Sequence, residues 1–210
     1  MSSLSYQHVF EPARDPTAAP LLLLHGTGGD EHDLLRVGRQ LSPGAALLSP
    51  RGDVLERGAP RFFRRLAEGV FDLADVERRT HALAAFIAAA AQHYGFDASR
   101  LTALGFSNGA NIAASLLLLR PESLAAAVLL RPMVVLDPAP DAVPALTGKR
   151  VLISSGNFDP IVPADHPTRL AATFRRAGAD VTLRAHAASH GLVPGDFAAA
   201  QEFLAATNSR

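Results

Sequence analysis

The chain has 210 residues, 48% of them apolar, with 20 lysines and arginines against 20 aspartates and glutamates. That is enough material for one domain with a sizeable core, and the balanced charge gives no reason to expect nucleic acid or an anionic membrane as a partner. There is no cysteine, which excludes disulfides, thiolate zinc sites and a cysteine nucleophile. The opening residues, Met-Ser-Ser-Leu-Ser-Tyr-Gln-His, lack the basic and apolar regions of a signal peptide. The apolar runs at 21–24 and 116–119 are far too short to span a bilayer, and His93 breaks the alanine-rich run that starts at Ala82. The expectation is a single cytoplasmic domain over residues 1–210 with no stable membrane insertion.

Residues 5–10 alternate weakly, as an edge strand does, and 11–20 form a Pro/Ala connection. The run Leu21-Leu22-Leu23-Leu24 is continuous, the mark of a strand buried on both faces. It runs into His25-Gly26-Thr27-Gly28-Gly29-Asp30. A helix is predicted over 31–41, stopped by Pro43-Gly44, and a short buried strand over 45–49. Residues 50–70, with Gly52, Gly58, Pro60 and Gly69, read as a long irregular segment, and a loop of that length is usually functional. A long helix comes next, over 72–94, ended at Gly95. A strand at 101–104 leads through Gly105-Phe106-Ser107-Asn108-Gly109 into an apolar helix over 110–119. Strands are predicted at 124–130, 151–154 and 181–185. Helices are predicted at 165–177 and 197–206, and a proline-rich connection precedes Gly148. Strands alternating with helices predict a mostly parallel sheet covered on both faces.

The segment around Ser107 is G-x-S-x-G in a strand–turn–helix setting. A serine hydroxyl is a weak nucleophile and must be presented on a tight turn where a base can reach it. Flanking glycines let strand and helix approach that turn. Functional groups in open parallel sheets gather at the carboxyl ends of the strands. Ser107, Asp159, His190 and the His25-Gly26-Thr27 loop each come after a predicted strand, and the order Ser, Asp, His is that of α/β-hydrolases. In this reading His190 takes the proton of Ser107 and Asp159 orients His190. The backbone N–H groups of Thr27 and Asn108 form the oxyanion hole. Asp137 also comes after a strand and is the alternative acid. His186 is the nearest rival to His190 but lies on or at the end of its strand. A zinc pair of the two is not expected, because no helix separates them. The loop at His25 lacks the Lys-Ser/Thr ending of a phosphate loop.

The motifs Leu-His-Gly-Thr-Gly-Gly, Gly-Phe-Ser-Asn-Gly-Ala, Gly-Asn-Phe-Asp-Pro-Ile-Val-Pro and Ser-His-Gly, spread over nearly the whole chain, resemble the phospholipase/carboxylesterase family of α/β-hydrolases. This family includes the acyl-protein thioesterases. Residues 51–56 and 61–66 look most like bacterial serine hydrolases associated with hydroquinone resistance. Acyl-protein thioesterases usually carry Gln after the nucleophile, where this chain has Asn108. The resemblance implies an α/β-hydrolase fold and Ser107, Asp159 and His190 as the triad. It also implies no metal or organic cofactor, and it is the sole ground for a homodimer.

The length leaves no room for a large cap domain. The expected reaction is hydrolysis of a small carboxylic ester through an acyl-enzyme. A thioesterase or acyl-transferring enzyme is the rival within catalysis, and a non-catalytic ligand-binding protein on the same fold is the rival outside it. The segment 51–71 is expected to cover the acyl pocket. Phe62, Phe63 and Phe71 either wall that pocket or anchor the loop on the core. Arg61, Arg64 and Arg65 either favour an acidic substrate or pair with Glu56, Glu68 and Asp72 in solvent. Met133, Leu192 and Val193 are further candidates for contact with substrate.

Overall fold

Each run that the sequence marks as a buried strand enters one seven-stranded sheet. The structure, a computed structural model, describes residues 4–139 and 142–208. Residues 140 and 141 of the proline-rich connection and the ends of the domain expected over 1–210 lie outside the described residues. The strands are β1 (His8–Glu11), β2 (Leu21–Leu24), β3 (Leu47–Pro50), β4 (Val54–Glu56), β5 (Ala59–Arg61), β6 (Arg65–Ala67), β7 (Val70–Phe71), β8 (Thr102–Phe106), β9 (Ala126–Leu130), β10 (Arg150–Gly156) and β11 (Asp180–His186). The helices are α1 (Leu35–Leu41), α2 (Leu73–Tyr94), α3 (Asn108–Leu119), α4 (His166–Arg176) and α5 (Pro194–Asn208). The main sheet runs β1-β3-β2-β8-β9-β10-β11. Only β1 is antiparallel to its neighbour. The mostly parallel sheet is the one that the pattern of elements predicts, and the architecture is the α/β-hydrolase fold that the motifs and the family resemblance imply.

Successive side chains of a strand point to opposite faces, and the leucine runs are divided accordingly. Leu22, Leu24, Leu129 and Ile153 pack under α2, α3 and α4, while Leu21, Leu23, Leu130 and Leu152 pack under α1 and α5. Both faces are therefore dry, which is why these strands need no polar alternation. The Asp72 side chain accepts from the Asp75 amide and starts α2, and Gly95 ends it with φ 74°. Among the described residues no helix is long and apolar enough to cross a membrane.

The structure departs from the expected elements in two places. The helix predicted over 31–41 begins only at Leu35. The carboxylate of buried Glu31 accepts from Gln7 at 2.9 Å and Arg51 at 3.0 Å, and it serves this connection rather than a first helical turn. The segment 50–70 is not irregular: it folds as two hairpins, β4–β5 and β6–β7. Arg57 and Gly58 join the first with φ 52° and 86°. Such positive values are what a two-residue hairpin turn needs to match strand twist.

Candidate active site

β8 delivers Ser107 to the carboxyl edge of the sheet, and α3 begins at the next residue. The turn is tight enough to force Ser107 to φ 51° and ψ −114°. A residue with a β-carbon accepts such a conformation at a cost of about 1–3 kcal/mol. Its amide donates to the Leu130 carbonyl of β9 at 2.8 Å, which ties the turn to the sheet. Two glycines make the approach of α3 feasible. A Cβ on Gly105 would lie 2.5 Å from the Gly109 carbonyl oxygen, and one on Gly109 would overlap the Leu24 carbonyl of β2.

His190 lies beyond β11 and Asp159 beyond β10, in adjacent loops. The Asn157 amide donates to the His186 carbonyl at 2.8 Å, and the Phe158 amide to the Ala188 carbonyl at 3.0 Å, which laces the two loops together. His190 Nδ1 lies 2.8 Å from Asp159 Oδ2, and Nε2 lies 2.9 Å from Ser107 Oγ. An ionised carboxylate only accepts, so Nδ1 carries the proton and Nε2 is left as the acceptor facing the hydroxyl. Asp159 Oδ1 accepts the amides of Ile161 at 2.8 Å and Val162 at 3.1 Å. Burial pushes the Asp159 carboxyl up, yet the Ile161 amide, the His190 ring and the Val162 amide together hold it below the usual carboxylate range. It is ionised at neutral pH. Asp137, the alternative acid, is exposed and paired with Arg169 at 2.6 Å. His186 ends β11, with Nε2 3.6 Å from Asp196 Oδ1.

The loop carrying Thr27 is held from several sides. The buried His25 ring donates from Nδ1 to the Gly26 carbonyl at 2.7 Å and accepts the Gly52 amide on Nε2 at 2.9 Å. Burial pushes the ring's pKa down, so the neutral tautomer bridges the two loops. The Gly28 amide donates to the Pro60 carbonyl at 3.0 Å, and Arg61 Nη1 to Thr27 Oγ1 at 2.7 Å. Asn108 opens α3, and its N–H belongs to the set that a helix leaves without an intrahelical partner. Thr27, Asn108, Ser107 and His190 all line one cleft of about 290 Å³.

Of the residues singled out in the sequence, Met133, Phe71, Arg61 and Arg65 line the cleft. Phe62, Phe63, Arg64 and Leu192 do not, and each has another occupation. Phe62 and Phe63 are buried in the core between the two hairpins, Phe62 against the His25 ring and Phe63 edge-on to Phe71. They anchor the segment. Arg64 is exposed and donates to Asp72 at 2.8 Å. Leu192 packs on the apolar cluster beneath α1 and α5.

Sequence reasoning passed over three groups. The Asn108 side chain accepts the Phe62 amide at 2.8 Å, and Asn111 accepts the Met133 amide at 2.7 Å. Asn111 fastens the cleft wall at Met133 to α3, and Asn108 fastens the buried anchor at Phe62 to it. The third group is an ion pair, Arg131 with Asp196, in which both side chains are fully buried. Arg131 comes directly after β9, with φ 56°. Its Nε donates to the Ser189 carbonyl at 3.2 Å and its Nη2 to the Gly191 carbonyl at 3.0 Å, so it grips the backbone on both sides of His190. Asp196 accepts from Arg131 at 2.7 and 2.8 Å, from Ser154 Oγ at 2.6 Å and from the Val193 amide at 2.8 Å. Burial pushes the Asp196 carboxyl up, but the bonds from Arg131 and Ser154 hold it below the usual range.

A family model described as phospholipase/carboxylesterase matches residues 5–208. MhqD of Bacillus subtilis is 42% identical over 197 residues, covering 94% of this chain and 96% of that one. A Bacillus cereus carboxylesterase of known structure is 43% identical, with a TM-score of 0.94, and the match covers 97% of this chain and 95% of that one. The structure of YahD with malic acid superposes with a TM-score of 0.89 at 30% identity, over 96% of this chain and 99% of that one.

Proposed function

The chain belongs to the phospholipase/carboxylesterase family of α/β-hydrolases, and on that premise we propose that it hydrolyses small carboxylic esters through an acyl-enzyme on Ser107. The observation that carries this reading is the continuous path from Asp159 through His190 to the hydroxyl of a serine held at φ 51°. His190 Nε2 takes the Ser107 proton as Oγ attacks the ester carbonyl carbon. The amides of Thr27 and Asn108 receive the charge that builds on the carbonyl oxygen. Collapse expels the alkoxide, which takes the proton from His190. A water molecule, deprotonated by the same nitrogen, then attacks the acyl-enzyme, releases the acid and restores Ser107. The cleft accommodates a small acyl group, and malic acid in the YahD structure belongs to the same size class.

A fluorophosphonate probe tests the reading directly, since it labels an activated serine and leaves a pure binding protein unmodified. A panel of oxygen esters, thioesters and aryl esters, run with competing alcohols, then separates hydrolysis from acyl transfer. The acid has its own test. Asp159→Asn is expected to lower kcat by about 10⁴-fold, because His190 then loses the partner that fixes its tautomer. Asp137→Asn leaves kcat within about 3-fold, because an exposed pair with Arg169 contributes little. The reverse pattern in steady-state kinetics would assign the acid to Asp137.

A further inference from the structure

The cleft beside Ser107 holds a cation whose pairing is incomplete. Arg61 ends β5 and lines the cleft, yet its side chain is only 3% exposed. Its Nη1 donates to Thr27 Oγ1 at 2.7 Å and its Nε to the Phe63 carbonyl at 3.2 Å, both neutral acceptors. The nearest carboxylate, Glu56, approaches Nε only to 3.4 Å. Both Glu56 oxygens already accept from Arg65 Nε, at 3.0 and 2.9 Å. Arg65 also holds Glu68 at 3.2 Å. Glu68, unlike Glu56, lines the cleft itself, and it is 62% exposed. Two carboxylates thus serve the more exposed arginine, while neither is hydrogen-bonded to the buried one. Among the described residues Arg61 Nη2 has no hydrogen-bond acceptor.

Arg61 lines the cleft with a donor that no group of the described residues fills, so an anion entering there meets a guanidinium with a bond to spare. A guanidinium matches a carboxylate in shape as well as in sign. We propose that Arg61 makes this cleft selective for esters that carry a free carboxylate a few atoms from the scissile carbonyl, such as half-esters of small dicarboxylic acids. The proposal rests on the reading of Ser107 as nucleophile, and it adds the class of substrate.

Two esters of the same shape test it. Monoethyl succinate carries the carboxylate, and ethyl 4-methylpentanoate replaces that carboxylate by an isopropyl group. The expected kcat/KM favours monoethyl succinate by about 10- to 100-fold, the range of one charge-assisted contact. Arg61→Met removes that preference, chiefly by raising KM for the half-ester, and Arg61→Lys restores part of it. Turnover of the neutral ester reports whatever support Arg61 gives to Thr27. A wild-type preference for the neutral ester, or an equal fall for both esters in Arg61→Met, would overturn the proposal. Calorimetry of succinate binding to Ser107→Ala protein reads recognition without turnover. Succinate should bind this variant and lose about 10-fold or more in affinity when Arg61→Met is added. Equal affinity, or no binding to either protein, would overturn the proposal. Failure of both esters in the wild type, with succinate still bound through Arg61, would instead overturn the hydrolase reading and leave recognition standing.

Discussion

Ser107→Ala is expected to lower turnover of a short-chain nitrophenyl ester by about 10⁵-fold, the scale of loss when the nucleophile of a triad is removed. The alanine keeps the backbone turn and the N–H groups of Thr27 and Asn108, so a small residual rate over water survives from oxyanion stabilisation. Among the described residues the Ser107 hydroxyl bonds only to His190, whose ring lines the open cleft and can turn to water when the hydroxyl is removed. The thermal midpoint should therefore stay within a few degrees of the wild type, and fluorophosphonate labelling should vanish. Undiminished turnover in a folded Ser107→Ala protein would end the acyl-enzyme reading. His190→Ala should match it in rate, because Oγ without its base is a poor nucleophile at neutral pH.

The elbow was legible in the sequence because its constraints are local. A serine between a buried strand and an apolar helix needs small residues where the helix meets β8 and β2, and Gly105 and Gly109 supply them. The positions of Asp159 and His190 could be read for a related reason. Each lies just past a short apolar run, and the loops that leave such runs meet at the carboxyl edge of a parallel sheet. The hairpins of 50–70 were harder to read. A two-residue turn of this kind is usually announced by Asn-Gly or Asp-Gly, and Arg57 carries no such signal. Phe62 and Phe63 could be read either way because they stand between arginines. A pair of aromatic residues in a charged, glycine-rich stretch looks like a rim, and its burial depends on contact with His25 and Phe71 from other parts of the chain. The Arg131–Asp196 pair had no local signal at all. Its partners are 65 residues apart, and neither lies in a motif.

That pair should be the most sensitive point of the structure outside the reacting groups. Replacing both members of a buried ion pair by apolar residues of similar volume is often tolerated, whereas removing one member strands the other charge at a cost of about 3–5 kcal/mol. Arg131→Met leaves Asp196 buried with Ser154 and the Val193 amide as its hydrogen-bond donors among the described residues, and with His186 Nε2 3.6 Å away. It also releases the carbonyls of Ser189 and Gly191. The expected fall in thermal midpoint is about 10 °C for a chain of this size. The expected kinetic change is a fall in kcat of about 10- to 100-fold with KM nearly unchanged, because a shift on the order of 1 Å at the base costs rate rather than binding. Asp196→Asn keeps the shape, and if Arg131→Met fails to fold it reads the same device more gently. Arg131→Met combined with Asp196→Leu should recover much of the stability, because no unpaired charge is left behind. It should not recover kcat, because the grip on the His190 loop is still missing. Parallel recovery of both quantities in the double variant would show that the pair serves the core alone, and that other contacts hold His190 against Ser107.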